Sequence, residues 1–477
     1  MRKIYRQWLC MAVLLCQITA QAAENGAVVR GSVKDVQGNP IAGVVVTDGK
    51  NMTATDNRGM YLLDTDPVRQ PMVYISTPAD YVLPEKNGIA DGFYRYQDAG
   101  KTENQCDFVL QKREKKTDEF VFIPISDPQV KNEKQLERFR SETIPDLVYT
   151  VDSLNVPETI GMQLGDLVWD AMNLYTPYRT TISNLGLTMF QVMGNHDFNL
   201  QYADMERTAE PAKGYGEKNY YEMFGPTDYS FNVGKVHVIA MKDIDYEGGK
   251  KYTERFTEEQ LEWLKKDLSY VPEGTTVFLN VHAPVANTTV EGGDNVRNAN
   301  ALFRILRPYK AHIFSGHTHF YENTLPAAGI YEHNIGAACG AWWAGDVNRC
   351  GAPNGYLVVT VKGDDVKWRY KPTGRPADYQ FRLYKPGEFE IQKQYVVANI
   401  WDWDIAYIVN WYEDGVLKGA MQQFDDEDQD YLNMEKGERT GYHTRHLFRA
   451  CPSSQAKKIK VEVKNRFGEI FTQEVEL

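Results

Sequence analysis

Apolar runs of five to seven residues recur through the middle of the chain, and each stops at Gly, Pro or a polar residue. VFIPI runs into Ser126-Asp127-Pro128-Gln129, TIGMQL into Gly165-Asp166, and LTMFQVM into Gly194-Asn195-His196-Asp197. TVFLNV runs into His282, and AHIFS into Gly316-His317-Thr318-His319. Runs of this length, rich in Val, Ile and Phe, predict strands buried on both faces. Helical patterns lie between them. Lys131–Leu154 reads as helix with a break near Pro145, Thr257–Leu268 as an amphipathic helix capped by Thr257 and Gln260, and Ala301–His312 as a third helix. DYSFNVGKVHVIAMKD predicts a hairpin about Asn232–Lys235.

The flanks follow a different rhythm. Residues 23–115 show short alternating strands around Gln-Gly-Asn-Pro and Asn-Arg-Gly turns, which predict a β-sandwich module. The charged stretch Gln111–Glu119 reads as a linker into an α/β domain over residues 116–375. From 380 to 477 the β pattern returns, with Glu413-Asp-Gly and Asn465-Arg-Phe-Gly as hairpin turns and a second β-sandwich as the expected result. The acidic run Asp425–Asp430 lacks a calcium-loop pattern and reads as an exposed loop.

At 477 residues and 42% hydrophobic, the chain has material for two or three cores. Its net charge of -12 argues against nucleic acid as a partner, and an anionic substrate would need local positive charge such as bound cations. Arg2, Lys3 and Arg6, the apolar stretch Trp8–Leu15 and Ala20-Gln21-Ala22 read as a signal peptide over residues 1–22. Export follows from that reading, and no later stretch is long and apolar enough to span a membrane. Cys106, Cys339, Cys350 and Cys451 would remain, and three full pairings are open to them.

Strand ends are where open α/β sheets bind ligands. Asp127, Gln129, Asp166, Asn195, His282, His317 and His319 delivered to one edge make a site for two metal ions. Asp166 is the candidate bridging carboxylate, Asp127 supplies a charged oxygen, and Gln129 and Asn195 supply neutral ones. Strand alternation would place Gln129 on the face of Asp127, and His319 on the face of His317. Mixed nitrogen and oxygen donors suit Mn, Fe, Zn or Co. Two ions about 3.5–4 Å apart can hold a hydroxide for in-line attack on a phosphate. His196 is placed to protonate the departing oxygen, with Asp197 orienting its ring. His237, His312, His333, His443 and His446 lack this context and read as structural.

The five motifs resemble those of the calcineurin-like metallophosphoesterase superfamily: Asp-x-His, Gly-Asp-x-x-Asp, Gly-Asn-His-Asp/Glu, His and Gly-His-x-His. The resemblance covers about residues 120–325 closely. With its flanking β modules, the chain is similar to exported three-part phosphoesterases of Bacteroidetes-type bacteria. It implies a central metallophosphoesterase β-sandwich flanked by helices, between N- and C-terminal all-β domains. Asp127, Gln129, Asp166 and His319 would hold one metal, and Asp166, Asn195, His282 and His317 the other, with divalent or trivalent ions in both. His196 would be the acid and Asp197 its partner. Gln129 departs from the usual His, and Trp169 stands where the later Asp of the second motif belongs, with Asp170 displaced by one and little expected effect.

The implied activity is hydrolysis of phosphate mono- or diesters in the periplasm or on the surface of a Gram-negative cell. Alternatives are a pyrophosphatase acting on nucleotide-sugar or lipid-linked diphosphates, and a non-catalytic glycan-binding protein with a decayed metal site. The substrate is thus a phosphorylated small molecule, glycan or lipid, chosen by loops outside the motifs. Trp169–Tyr178, Phe198–Pro226 and Ala338–Tyr356 are those loops. Trp342, Trp343 and Arg349 are candidate pocket-wall residues, with hydrophobic packing or a surface position as the alternatives. The oligomeric state is not readable from the chain.

Overall fold

The computed structural model describes residues 26–115, 118–199, 216–248, 251–288 and 294–477. The signal-peptide reading and much of the loop Phe198–Pro226 lie outside these residues. All five motif strands form where the apolar runs predict them: Glu119–Ile125, Thr159–Leu164, Thr188–Val192, Thr276–Asn280 and Lys310–Ser315. The first three are parallel neighbours in a seven-stranded sheet, and the last two are parallel neighbours in a six-stranded sheet. The sheets meet through aromatic rings: Phe122 of the first lies 5.3 Å from both Phe278 and Phe314 of the second. The core is therefore a sandwich of two mixed sheets, and the motif strands deliver their polar ends to one edge.

Helices close the outer faces. Thr257 accepts from the Gln260 N–H and the Gln260 side chain returns to the Thr257 N–H, the capping box that the sequence predicts. Leu261, Trp263, Leu264 and Leu268 are the buried stripe of that helix. The predicted break at Pro145 is a single π turn, Phe139–Thr143, joining helices Glu133–Arg138 and Ile144–Leu154. A proline lacks the N–H for an ordinary helical bond, and the wider turn absorbs that loss without ending the helix. The third helix is shorter than expected, Ala299–Leu306; Pro308 follows it and Lys310 already opens a strand.

The N-terminal region forms two four-stranded sheets, as expected of a sandwich. It is less separate than its pattern suggests. Its short strand Ile89–Ala90 pairs in parallel with Thr188–Val192 through Ile89 and Met189, extending the catalytic sheet. This covers an edge that would otherwise expose unpaired backbone groups. A two-residue strand carries no readable periodicity, which is why the sequence hides it. The C-terminal region is the expected sandwich of two four-stranded sheets. The acidic run in it is not an exposed loop: Glu427 and Asp428 are fully buried, and Asp428 caps helix Gln429–Met434. None of Cys106, Cys339, Cys350 and Cys451 is paired.

The motif loops pack too closely to admit a methyl group at Gly165, Gly194 or Gly316, and most tightly at the last. A Cβ on Gly316 would stand 1.7 Å from Ser126 Oγ and 2.5 Å from Asp127 Oδ2. Gly316→Ala is therefore expected to displace the first motif from the last, costing about 1–3 kcal/mol by overpacking and lowering bound metal. Thermal melting with direct metal analysis checks this; wild-type values for both would refute the close-approach argument.

Candidate active site

Asp166 lies at the centre of the strand-end cluster. Its Oδ1 accepts the His196 backbone N–H at 2.9 Å and faces His282 Nε2 at 3.3 Å. Its Oδ2 accepts Gln129 Nε2 at 2.7 Å. Asn195 Oδ1 lies 2.9 Å from His282 Nε2, and His317 Nδ1 lies 3.1 Å from that same nitrogen. On the other side, His319 Nε2 faces Asp127 Oδ1 at 3.7 Å. The structure thus places the predicted ligand residues at one edge: Gln129, Asn195, His282 and His317 gather about Asp166, and Asp127 faces His319 beside them.

The reason these side chains converge differs from the strand alternation expected above. Asp127, Gln129, Asp166, His317 and His319 all have positive φ, between 43° and 70°. The chain has left the strand in each case, and single left-handed residues turn the side chains inward. Such backbone costs about 1–3 kcal/mol per residue and concentrates at functional sites.

Two tautomers are set by backbone carbonyls. His282 Nδ1–H donates to Leu164 O at 2.8 Å, and His319 Nδ1–H donates to Gly340 O at 2.5 Å. Both Nε2 atoms are thereby turned inward, the orientation in which an imidazole could hold a metal ion. Asp127 Oδ1 is buried without a hydrogen-bond partner. Carboxylate, amide and imidazole donors of this kind fit divalent ions, and Asp166, His282 and His317 offer ligand atoms within 4.8 Å of one another. Gln129 departs from its expected role: its Nε2 is spent on Asp166, while Oε1 faces Cys339 Sγ at 4.0 Å.

The electrostatics of the cluster are those of buried anions among imidazoles. Burial opposes ionisation of Asp166, yet the charges of His282 and His196 hold its carboxyl well below the usual range. Burial pushes the Asp127 carboxyl up, against His282 and His319. Burial likewise disfavours a charged His282, but Asp166, and behind it Asp127 and Asp243, drive that ring far above its ordinary value. Burial and the His282 charge push His317 down to about 3.

His196 Nδ1 pairs with Asp170 Oδ1 at 2.9 Å, not with Asp197. Burial disfavours the charged ring, but the Asp166 charge and the Asp170 hydrogen bond outweigh it and raise its pKa. Asp197 turns the other way. It accepts the backbone N–H groups of Gly194 at 2.9 Å and Leu167 at 3.1 Å and the Tyr175 hydroxyl at 3.2 Å. Its role is to bracket the second and third motif loops. The residue that orients His196 is the displaced aspartate of the second motif.

The pocket-wall candidates separate. The Trp342 indole is half-buried and stacks on His319, with ring centroids 4.7 Å apart. Trp169, also half-buried, lies 4.8 Å from the His196 ring and 6.4 Å from Trp342. Trp343 points into the core and donates Nε1–H to Pro128 O at 2.9 Å, so packing is its role. Arg349 does not line the opening either; its Nη1 donates to Thr318 O at 3.0 Å and its guanidinium lies over Tyr442. Sequence reasoning missed Asp243, which accepts the His282 and Ala283 N–H groups, and Glu254, whose Oε1 lies 3.9 Å from His317 Nε2. Neither sits in a recognisable motif. The five histidines set aside make no hydrogen bond to this cluster; His237, for example, is held by Asn232 and Asp267.

Comparison with known proteins follows the same division of the chain. Residues 121–321 match the family described as calcineurin-like phosphoesterase. Residues 27–113 match the N-terminal part described for calcineurin-like phosphoesterase, and residues 332–471 its C-terminal part. No curated protein matches the chain. Among solved structures, it is similar to a dimetal phosphatase from Danio rerio, at 14% identity over 53% of this chain and 96% of that one, with a TM-score of 0.37. It is also similar to a purple acid phosphatase from yellow lupin seeds, at 14% identity over 55% of this chain and 52% of that one, with a TM-score of 0.41. With family matches running from residue 27 to residue 471, the chain belongs to the calcineurin-like phosphoesterases and is a metal-dependent phosphoric ester hydrolase.

Proposed function

We propose that this protein is an exported phosphoesterase that hydrolyses phosphate mono- or diesters in the periplasm or at the surface of a Gram-negative cell. The observation that carries the hydrolytic reading is the His196–Asp170 pair standing beside the ligand group of Asp166, His282 and His317. Two divalent or trivalent ions, from among Mn, Fe, Zn and Co, would bind phosphoryl oxygens and activate water. Asp166 and Asp127 supply the charged oxygens for them, His282, His317 and His319 the nitrogens, and Asn195 a neutral oxygen. His196, oriented by Asp170 through Nδ1, would donate a proton to the departing oxygen. Trp169 and Trp342 wall the opening on the His196 side and favour a substrate with a flat or ring-shaped group next to the phosphate.

A diphosphate offers the same oxygens as an ester to the cluster, and Lys131 gives that reading a specific support. Its exposed ammonium lies 5.3 Å from the Trp169 ring, on the His196 side of the opening, where a second phosphate would meet a cation. Hydrolysis of p-nitrophenyl phosphate, its bis ester and a nucleotide-sugar diphosphate, with each metal added separately, decides between them. Ester turnover in the absence of diphosphate turnover is the expected result. If none is cleaved by metal-loaded protein, the catalytic reading fails.

The proton-donor assignment has its own test. His196→Ala is expected to lower kcat by about 10²–10⁴ with metal retained, and Asp170→Asn to lower it less while moving the alkaline limb of the pH profile to lower pH, because the donor loses a group that raises its pKa. Asp197→Asn would set an amide N–H against the Gly194 N–H and cost about 1–3 kcal/mol of stability, seen as a lower melting temperature. Should Asp170→Asn leave the pH profile unchanged and Asp197→Asn alter it, the assignment is reversed.

A further inference from the structure

Arg349 links the last motif turn to the C-terminal domain. Arg349 lies in the loop after the six-stranded sheet, and its backbone N–H donates to His319 O at 3.1 Å. Its Nη1 donates to Thr318 O at 3.0 Å, so the residue holds both peptides of the Gly-His-Thr-His turn. Its guanidinium is 5.1 Å from the Trp342 ring, and the Trp342 ring stacks on His319. His319 and Trp342 both have left-handed backbone, with φ of 55° and 54°. Two strained residues in contact need an outside support to remain there.

That support comes from the C-terminal sandwich. Tyr442 lies 3.7 Å from the Arg349 guanidinium, closing it against the Trp342 side. The loop bearing Tyr442 is held in turn by the fully buried Glu427. Its Oε1 accepts the Thr440 and Gly441 N–H groups at 2.5 Å each and the Thr440 hydroxyl at 2.8 Å, and Arg439 pairs with the carboxylate. The neighbouring Asp428 accepts Asn399 Nδ2 at 2.8 Å, and Asn399 Nδ2 also donates to Cys350 O at 2.8 Å, one residue beyond Arg349. The buried acidic run thus anchors both ends of a strut.

We propose that Tyr442 and Arg349 are positioning residues of the active site, through which the C-terminal domain sets the placement of His319 at the first metal position and of the Trp342 wall. This rests on the two-metal hydrolase reading but concerns metal binding as well as turnover. The C-terminal domain is on this view a part of the catalytic unit and not a docking appendage.

Metal affinity of the full chain, metal bound per chain, tryptophan fluorescence and kcat against KM test it. Tyr442→Ala is expected to weaken the tighter two-metal loading to one retained metal, with about 10–100-fold lower affinity at the lost position and a changed fluorescence. Tyr442→Phe, which keeps the ring, restores wild-type behaviour. Arg349→Lys, which keeps the charge but not the planar fork, reproduces the loss if Tyr442→Ala does not fold. Arg369→Gln breaks a different contact to the same domain, the 2.7 Å pair with Glu469, and should leave metal binding unchanged. Wild-type metal affinity in folded Tyr442→Ala overturns the proposal, as does an equal loss in Arg369→Gln. If the metal results appear as expected but no wild-type hydrolysis is found, the strut stands and the esterase reading falls.

Discussion

A carboxylate buried between two sheets sets the terms for everything around it. Asp166 is 1% exposed, and an ionised group at that depth is costly unless opposite charge and hydrogen bonds surround it. The fold meets that demand from three directions: a backbone N–H from the third motif, the Gln129 amide from the first, and His282 from the second sheet. Each partner arrives on a different strand. Satisfying one buried anion therefore requires both sheets to be in register, and the chemistry of the site and the closure of the sandwich become the same requirement. Asp127, whose Oδ1 has no partner, leaves the arrangement short of positive charge. The remaining demand is for positive charge, which makes a ligand cluster of this composition a candidate metal site.

Much of this was legible in the chain because its strands are buried on both faces. Their apolar runs are unbroken, so the residues at which they stop stand out, and all seven ligand candidates were visible as stops. What could not be read was the path of the backbone after each stop. Alternation placed Gln129 with Asp127 and His319 with His317, whereas the structure uses isolated left-handed turns, and these leave no periodic signature. The Gln129 amide accordingly meets Asp166 with its nitrogen, a direction no spacing argument reveals. Asp170 was visible as a displaced aspartate, but its value depended on where the His196 ring points, and Asp197 was nearer in sequence. Adjacent residues on a short 3₁₀ turn diverge in direction, so proximity along the chain argued for the wrong partner.

The flanking domains were legible as β-sandwiches, but their contacts with the centre were not, for a related reason. A β-sandwich pattern announces an autonomous core, and both flanks have one. It does not announce a two-residue strand added to another sheet, nor a buried glutamate that serves a loop. Both kinds of contact rest on few residues and on chain segments far apart in sequence. The acidic run at 425–430 shows the difficulty well. Charge density argues for solvent, and Asp425 is indeed exposed, yet Glu427 and Asp428 are among the most buried polar groups of the C-terminal domain. Their burial is tolerated because each carboxylate accepts several N–H or O–H donors from its own domain.

Stability and function are consequently divided unevenly over the chain. The two-sheet core, with Phe122, Phe278 and Phe314 between its layers, is continuous with the apolar core of the N-terminal domain and is densely packed. The motif turns are another matter. They are strained, they carry the ligands, and they lie at the sandwich edge, where the core contributes least packing. Their support comes from outside: Asp197 and Tyr175 tie the second and third motifs together, Arg349 ties the last motif to the C-terminal domain, and Ile89 seals the sheet on the N-terminal side. A hydrolase built this way can vary its outer loops to choose a substrate while its ligand turns stay fixed, because the side chains that hold the turns are not the ones that face the opening.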